Sequence, residues 1–209
     1  MNATVPSEIQ ADLDFALSKL EKGAQNLQSM PLQQRRQLIQ SCAANIPDFA
    51  QQWVEVTCAA KQISPTHPVA SEEILAGPAS LLRYLQLLSG LFRNVEKSGK
   101  PQLPGSPRCN LTGRTCVPIL PVKRLFDPLI FRGLSAEVWL NVDHDDQDIF
   151  AELPSDRNNI GNGKIAAVLG AGNVSAIPAT DMLYKIFHDG EVVLLKLNPV
   201  NDYLYSTFT

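Results

Sequence analysis

Apolar positions recur at three- and four-residue steps through the first ninety residues, and this spacing predicts helices. Ile9, Leu13, Leu17, Leu20, Ala24 and Leu27 fall on one face of a first helix. In a second, Leu38, Cys42 and Ile46 share a face, with Arg35 and Arg36 outside it. Pro47 is expected to open a third, because proline at a first helical position gives up only an unused N–H. Phe49, Trp53, Val56 and Ala60 continue its stripe. After the breaker Ser64–Pro68, Ser71 is the expected N-cap of a fourth helix, with Glu72 and Glu73 at the positive end of its dipole. Leu82, Leu85, Leu88 and Phe92 form its apolar face, and Gly77-Pro78 predicts a kink near its start.

The pattern changes at Ser98. Prolines at 101, 104, 107, 118 and 121 and glycines at 99, 105 and 113 exclude a long helix and predict a connecting segment with short edge strands. Val138–Val142 reads as a strand, and Asp143–Asp148, with His144, as a solvated acidic turn without metal-ligand spacing.

A third texture begins at Gly163. Ile165-Ala166-Ala167-Val168-Leu169 is a wholly apolar run, the signature of a strand buried on both faces. Gly170-Ala171-Gly172-Asn173 reads as a tight turn, and Ser175 as the cap of a helix with Ile177, Met182, Leu183, Ile186 and Phe187 on its apolar stripe. Pro178 is early enough in that helix to be tolerated. Asp189-Gly190 ends it, and Val192-Val193-Leu194-Leu195 is a second buried strand. Strand, helix and strand make a βαβ unit with parallel strands and a right-handed crossover. The expected organisation is therefore a helical region (1–97), a Pro/Gly-rich connection with short strands (98–162) and the βαβ unit (163–209).

Composition narrows the class. The chain has 209 residues, 44% apolar and 19% charged, with a formal charge of −3. This argues for a globular protein with a sizeable core and against nucleic acid as the main partner. Cys42, Cys58, Cys109 and Cys116 form no C-x-x-C pair and have no histidine at zinc spacing, so reduced thiols in a cytoplasmic protein are expected. The first residues lack a basic segment followed by an apolar core, and no apolar run is long enough to span a bilayer. Asn110-Leu111-Thr112 matches a glycosylation sequon by accident on that reading.

In a parallel sheet, ligands bind beyond the carboxyl ends of the strands, where both the 170–173 turn and Lys196 are expected to lie. Glycines allow close approach of a ligand, and the following helix offers unpaired N–H groups. Gly170-x-Gly172 lacks a third glycine, and no carboxylate follows the second strand at once, so the spacing alone leaves a nucleotide site and a merely tight turn both open.

Residues 163 to 201, GKIAAVLGAGNVSAIPATDMLYKIFHDGEVVLLKLNPVN, resemble the first part of the cofactor-binding domain of the aldehyde dehydrogenase superfamily. There a strand leads into a G-P-W-N turn, a helix, and a strand of the form T-V-V-L-K-P. Gly170-Ala171-Gly172-Asn173 and Val192–Lys196 carry the match, and the leading helices resemble the family's N-terminal region. The resemblance implies an α/β chain: a helical region, then the beginning of a Rossmann-like parallel sheet, truncated before the rest of the domain. It implies an NAD(P)-dependent oxidoreductase acting on an aldehyde or an activated acyl group. Asn173 would supply an oxyanion-stabilising amide, a kind of donor whose loss costs about 2.7–4 kcal/mol of barrier. Lys196 would hydrogen-bond the adenosine ribose, and Leu169, Gly170, Ala171, Gly172 and Asn173 would line the NAD or NADP.

Three departures qualify that implication. Gly172 stands where the family has an aromatic residue. Leu197 and Pro199 stand where it often has proline and glutamate, which leaves the choice of NAD or NADP open. The family's nucleophilic cysteine and general-base glutamate lie downstream of this unit, so the chain is expected to be inactive alone, and its exposed strand edge to favour self-association. The alternative is a non-catalytic nucleotide-binding or interaction domain built on the same turn.

Overall fold

The computed structural model describes residues 6–122, 127–143 and 163–208. They fall into two compact units, one drawn from Met1–Phe92 with Asp156–Thr209 and one from Arg93–Ser155. The architecture is α/β: a helical N-terminal region and two small sheets, one of them parallel. No helix among the described residues is long and apolar enough to cross a membrane. His144 and Asp145–Asp148 of the acidic turn lie outside the described residues.

Helix α1 spans Ser7–Ser29 and α2 spans Leu32–Ala60. Pro47 does not open a helix; it lies inside α2. Its missing N–H removes one helical bond, but Pro47 is on the solvent side, where water can satisfy the freed carbonyl. The buried face of α2 also differs from the expected one. Arg35, Ile39, Ile46, Trp53, Thr57 and Cys58 are buried, while Leu38 and Cys42 face solvent. Arg35 is inside because it terminates α1: its Nε donates to Met30 O at 3.1 Å and its Nη2 to Leu27 O at 2.6 Å. A guanidinium suits a helix C-terminus, where carbonyls lack partners and the dipole is negative.

Helix α3, Ala70–Ile74, starts one residue before Ser71, and no side chain caps it. Glu73 in its first turn is buried and holds Lys61 Nζ through both carboxylate oxygens, at 2.8 and 2.9 Å. A wide π-type turn, Leu75–Ala79, joins α3 to α4, Ser80–Ser98, and the chain kinks at Gly77 as the Gly-Pro pair predicts. Leu81, Leu85, Leu88 and Phe92 of α4 pack with Ile39, Ile46 and Trp53 in the core of this unit.

In the other unit β1 (Arg108–Cys109), β2 (Arg114–Leu120) and β3 (Ala136–Asp143) form an antiparallel sheet in that order, and α5 spans Asp127–Ile130. The expected strand at 138–142 lies within β3. Pro118 is tolerated in β2 because it lies beyond the two residues that pair with β1 and borders a register shift against β3. Arg108 pairs with Glu137, whose other oxygen accepts from Trp139 Nε1 at 2.8 Å.

The parallel pair is β4 (Ile165–Leu169) and β5 (Val192–Lys196), with Ile165 opposite Val192 and Leu169 opposite Lys196. Helix α6, Ile177–Tyr184, connects them and continues through a π-type turn, Lys185–Asp189, to Gly190. Gly190 takes the left-handed conformation (φ 68°) that ends a helix at little cost to glycine. Leu183 and Phe187 drive α6 into the core, where Phe187 meets Phe92 edge to face. The strands are not buried on both faces, however. Only Val168 of β4 is buried and Leu169 is 76% exposed. Helix α1 lies against the start of the pair, with Gly23 beside Val192, and does not cover Ala167 or Leu169.

Candidate functional site

The register of β4 and β5 brings the 170–173 turn and Lys196 to one edge. Leu169 and Lys196 end their strands side by side, and Gly170 N–H donates to Lys196 O at 2.8 Å. The turn is thereby hydrogen-bonded to the residue that carries the lysine. Leu169, Asn173 and the Lys196 side chain are exposed at this edge, Gly170 is buried, and Ala171 and Gly172 are half-buried. Among the described residues, Lys196 Nζ reaches only its neighbour's carbonyl, Leu197 O, at 3.3 Å.

Both glycines have an internal reason for lacking a side chain. A Cβ on Gly170 would lie 3.1 Å from Pro178 and 3.3 Å from Lys196 O. One on Gly172 would lie 3.0 Å from Asn198 Cγ. The close approach that glycine permits here is therefore to α6 and to the segment after β5. The spacing did not distinguish this role from approach to a ligand.

That segment continues as a 3-10 turn, Pro199–Leu204, begun by Asn198, whose side chain accepts from Val200 N–H at 3.1 Å. Its Asn201 is 1% exposed and donates from Nδ2 to Ala171 O at 2.8 Å. Asn201 belongs to the site, and periodicity could not single it out. Its one visible signal was an Asn-Pro-x-Asn run that begins two residues after the lysine.

Ser175 does not cap α6. The helix begins at Ile177 after Ala176, which is already in a helical conformation, with no side-chain cap bond. Ser175 is buried, with its Oγ 3.1 Å from where a Cβ on Gly77 would lie. Ala176 N–H donates to Ala76 O at 3.3 Å. The turn is thus docked on the kink between α3 and α4 as well as on the segment after β5.

Chemically, the edge offers one cation and one primary amide, both suited to oxygen-rich or anionic groups, whereas the first N–H groups of α6 are spent on Ala76 O and Val174 O and Pro178 has none. The thiols offer less. Cys58 and Cys116 are buried, and desolvation pushes the Cys116 thiol up, away from a reactive thiolate. At the far end of α6, His188 Nδ1 is 2.8 Å from Asp189 Oδ1, and Lys185 Nζ is 2.7 Å from Asp189 Oδ2. This cluster lies on the order of 15 Å along the helix from the turn, given 1.5 Å of rise per residue. No grouping of metal ligands occurs among the described residues. Compared with protein-family models, curated proteins and solved structures, the chain matches none.

Proposed function

We propose that the chain is the N-terminal, cofactor-holding part of an NAD(P)-dependent oxidoreductase acting on an aldehyde or an activated acyl group, with β4–α6–β5 as the first βαβ unit of a Rossmann-like sheet. The observation that carries this reading is the pairing of Leu169 with Lys196, which presents the turn and the lysine together beyond the carboxyl ends of two parallel strands. The groups there fit a dinucleotide: an exposed ammonium for ribose hydroxyls, and an exposed primary amide on the turn. When bound, the cofactor would accept or deliver hydride.

The chain's own residues hold and orient. Lys196 contacts a non-reacting part of the cofactor equally before and during reaction, so it contributes uniform binding. Asn173 donates to an oxygen on which negative charge develops, so it contributes to turnover and little to affinity. No residue of this chain is assigned as nucleophile or general base.

The test is a titration of the isotopically labelled chain with NAD and with NADP, followed by amide resonances. Weak binding is expected, with shifts at residues 170–173 and at Lys196. Lys196→Ala should weaken it while Asn173→Ala leaves it unchanged. An aldehyde panel should give no turnover above that of a variant lacking Cys109 and Cys116. Shifts confined to other residues, or none with cofactor in large excess, overturn the reading in favour of an interaction domain.

A further inference from the structure

We infer that Asn201 is the positioning residue of the 170–173 turn: by holding the Ala171 carbonyl inward it keeps the Gly172 N–H directed outward, beside the Asn173 amide. The inference rests on the proposed function only for what that N–H would meet.

Three observations carry it. Asn201 is almost wholly buried, and its Nδ2 lies 2.8 Å from Ala171 O, thirty residues away in sequence. Ala171 O therefore faces the interior. In a trans peptide the C=O and N–H point in opposite directions, so the same peptide aims the Gly172 N–H away from Asn201. Asn201 is itself held: its backbone N–H donates to Asn198 O at 2.8 Å, inside a 3-10 turn whose Pro199 has a fixed φ. It is a preset donor rather than a side chain that could follow the turn.

The need for such a residue arises from Gly172. Lacking a Cβ, glycine imposes little preference on the peptides beside it, and the 171–172 peptide could rotate. Rotated, it would present a carbonyl oxygen at the edge that carries Lys196 and Asn173, and a negative or oxygen-rich group would be repelled there. Held by Asn201, it presents a donor. The Gly170 N–H bond to Lys196 O fixes the 169–170 peptide, and Asn198 packs against Gly172. Among the described residues, only the Asn201 amide reaches the carbonyl between those two ties.

The experiment compares the full chain with Asn201→Ala and Asn201→Asp, both labelled with 15N and 13C. Far-UV circular dichroism and Trp53 emission report folding, and the Ala171 carbonyl carbon and Gly172 amide report the peptide. Both variants should fold, shift those two resonances without ligand, and raise the Kd for the cofactor that the wild type binds by roughly two- to tenfold, as for one lost hydrogen bond. The Asn201→Asp carboxylate cannot donate, but its protonated form can. Acidification should therefore return the Ala171 and Gly172 resonances of this variant towards those of the wild type at the same pH, which a space-filling role would not do. If Asn201→Ala does not fold, Asn201→Asp decides alone. Unchanged resonances, shifted resonances with an unchanged Kd, or no recovery on acidification overturn the inference. If the wild type binds neither cofactor the proposed function falls, and the two resonances still decide the role of Asn201.

Discussion

Gly172 and Asn198 share one space: a Cβ on Gly172 would sit 3.0 Å from Asn198 Cγ and 3.1 Å from its Oδ1. The tip of Asn198 cannot simply withdraw, because that Oδ1 accepts from Val200 N–H and begins the 3-10 turn. The two residues thus couple the turn after β4 to the turn after β5.

Gly172→Ala should therefore destabilise the chain by about 1–3 kcal/mol, the usual cost of overpacking. Asn198→Ala should cost about 1 kcal/mol as a lost cap bond. Their combination should cost less than the sum, since the smaller side chain vacates the contested space. Denaturant midpoints of the two single variants and the double variant measure the coupling. Additive costs would mean that the turn moves aside freely.

Pro47→Ala offers the opposite sign. Pro47 is exposed within α2 and interrupts its hydrogen-bond ladder, an arrangement that costs up to about 3 kcal/mol in a helix interior. Restoring the N–H allows a bond to the carbonyl of Ala43 one turn earlier. The expected gain is about 1–2 kcal/mol, because α2 has partly adapted to the proline. It would be read as a raised Tm with an unchanged helical spectrum.

Much of the parallel unit was legible because its signals are local. An apolar run between Lys164 and Gly170 gave β4 both of its ends, and Asp189-Gly190 marked the end of α6. The errors share a physical cause, which is that burial depends on partners the pattern does not name. Leu38 and Cys42 fit a helix period as well as Arg35 and Ile39 do. What selects the second set is the carbonyl end of α1, which only a guanidinium at position 35 reaches. Leu169 looks like a core residue, yet no described element covers it. Asn201 could not be singled out because a buried asparagine and a surface one read alike until Ala171 O is placed beside it.

Arg35→Ala should accordingly be among the costly substitutions in the helical region. It removes two charge-assisted hydrogen bonds from the end of α1, each worth about 1.5–3 kcal/mol when its acceptor is left without a partner. Water can reach some of the exposed carbonyls, so a net loss of about 2–3 kcal/mol is expected. Arg35→Lys should recover only part of it, because a single ammonium cannot span both carbonyls in the guanidinium's geometry. Chemical denaturation of the two variants checks this, and equal stability of Arg35→Ala and the wild type would remove Arg35 from the account of how α1 ends.

The end of α6 gives a pH dependence with a definite sign. Burial acts to raise the pKa of Asp189, but hydrogen bonds from Lys185 and then His188 outweigh it and hold the carboxyl below its ordinary value. Lys185 is held up in turn, first by Asp189 and then by Glu191. A carboxyl with a lowered folded-state pKa stabilises the fold above its unfolded value and loses that contribution as pH falls through the folded one. The loss should therefore begin near pH 4, the usual aspartate range, and deepen below it. Both Lys185 and Asp189 are partly exposed, so solvent and salt screen the pair and keep the effect small. Asp189→Asn should flatten the acid limb of the stability profile by that amount while leaving neutral stability slightly lower. The comparison to make is of denaturation midpoints between about pH 3 and pH 7 at low and high salt. A mutant profile parallel to that of the wild type throughout would show that Asp189 titrates alike in the folded and unfolded chain.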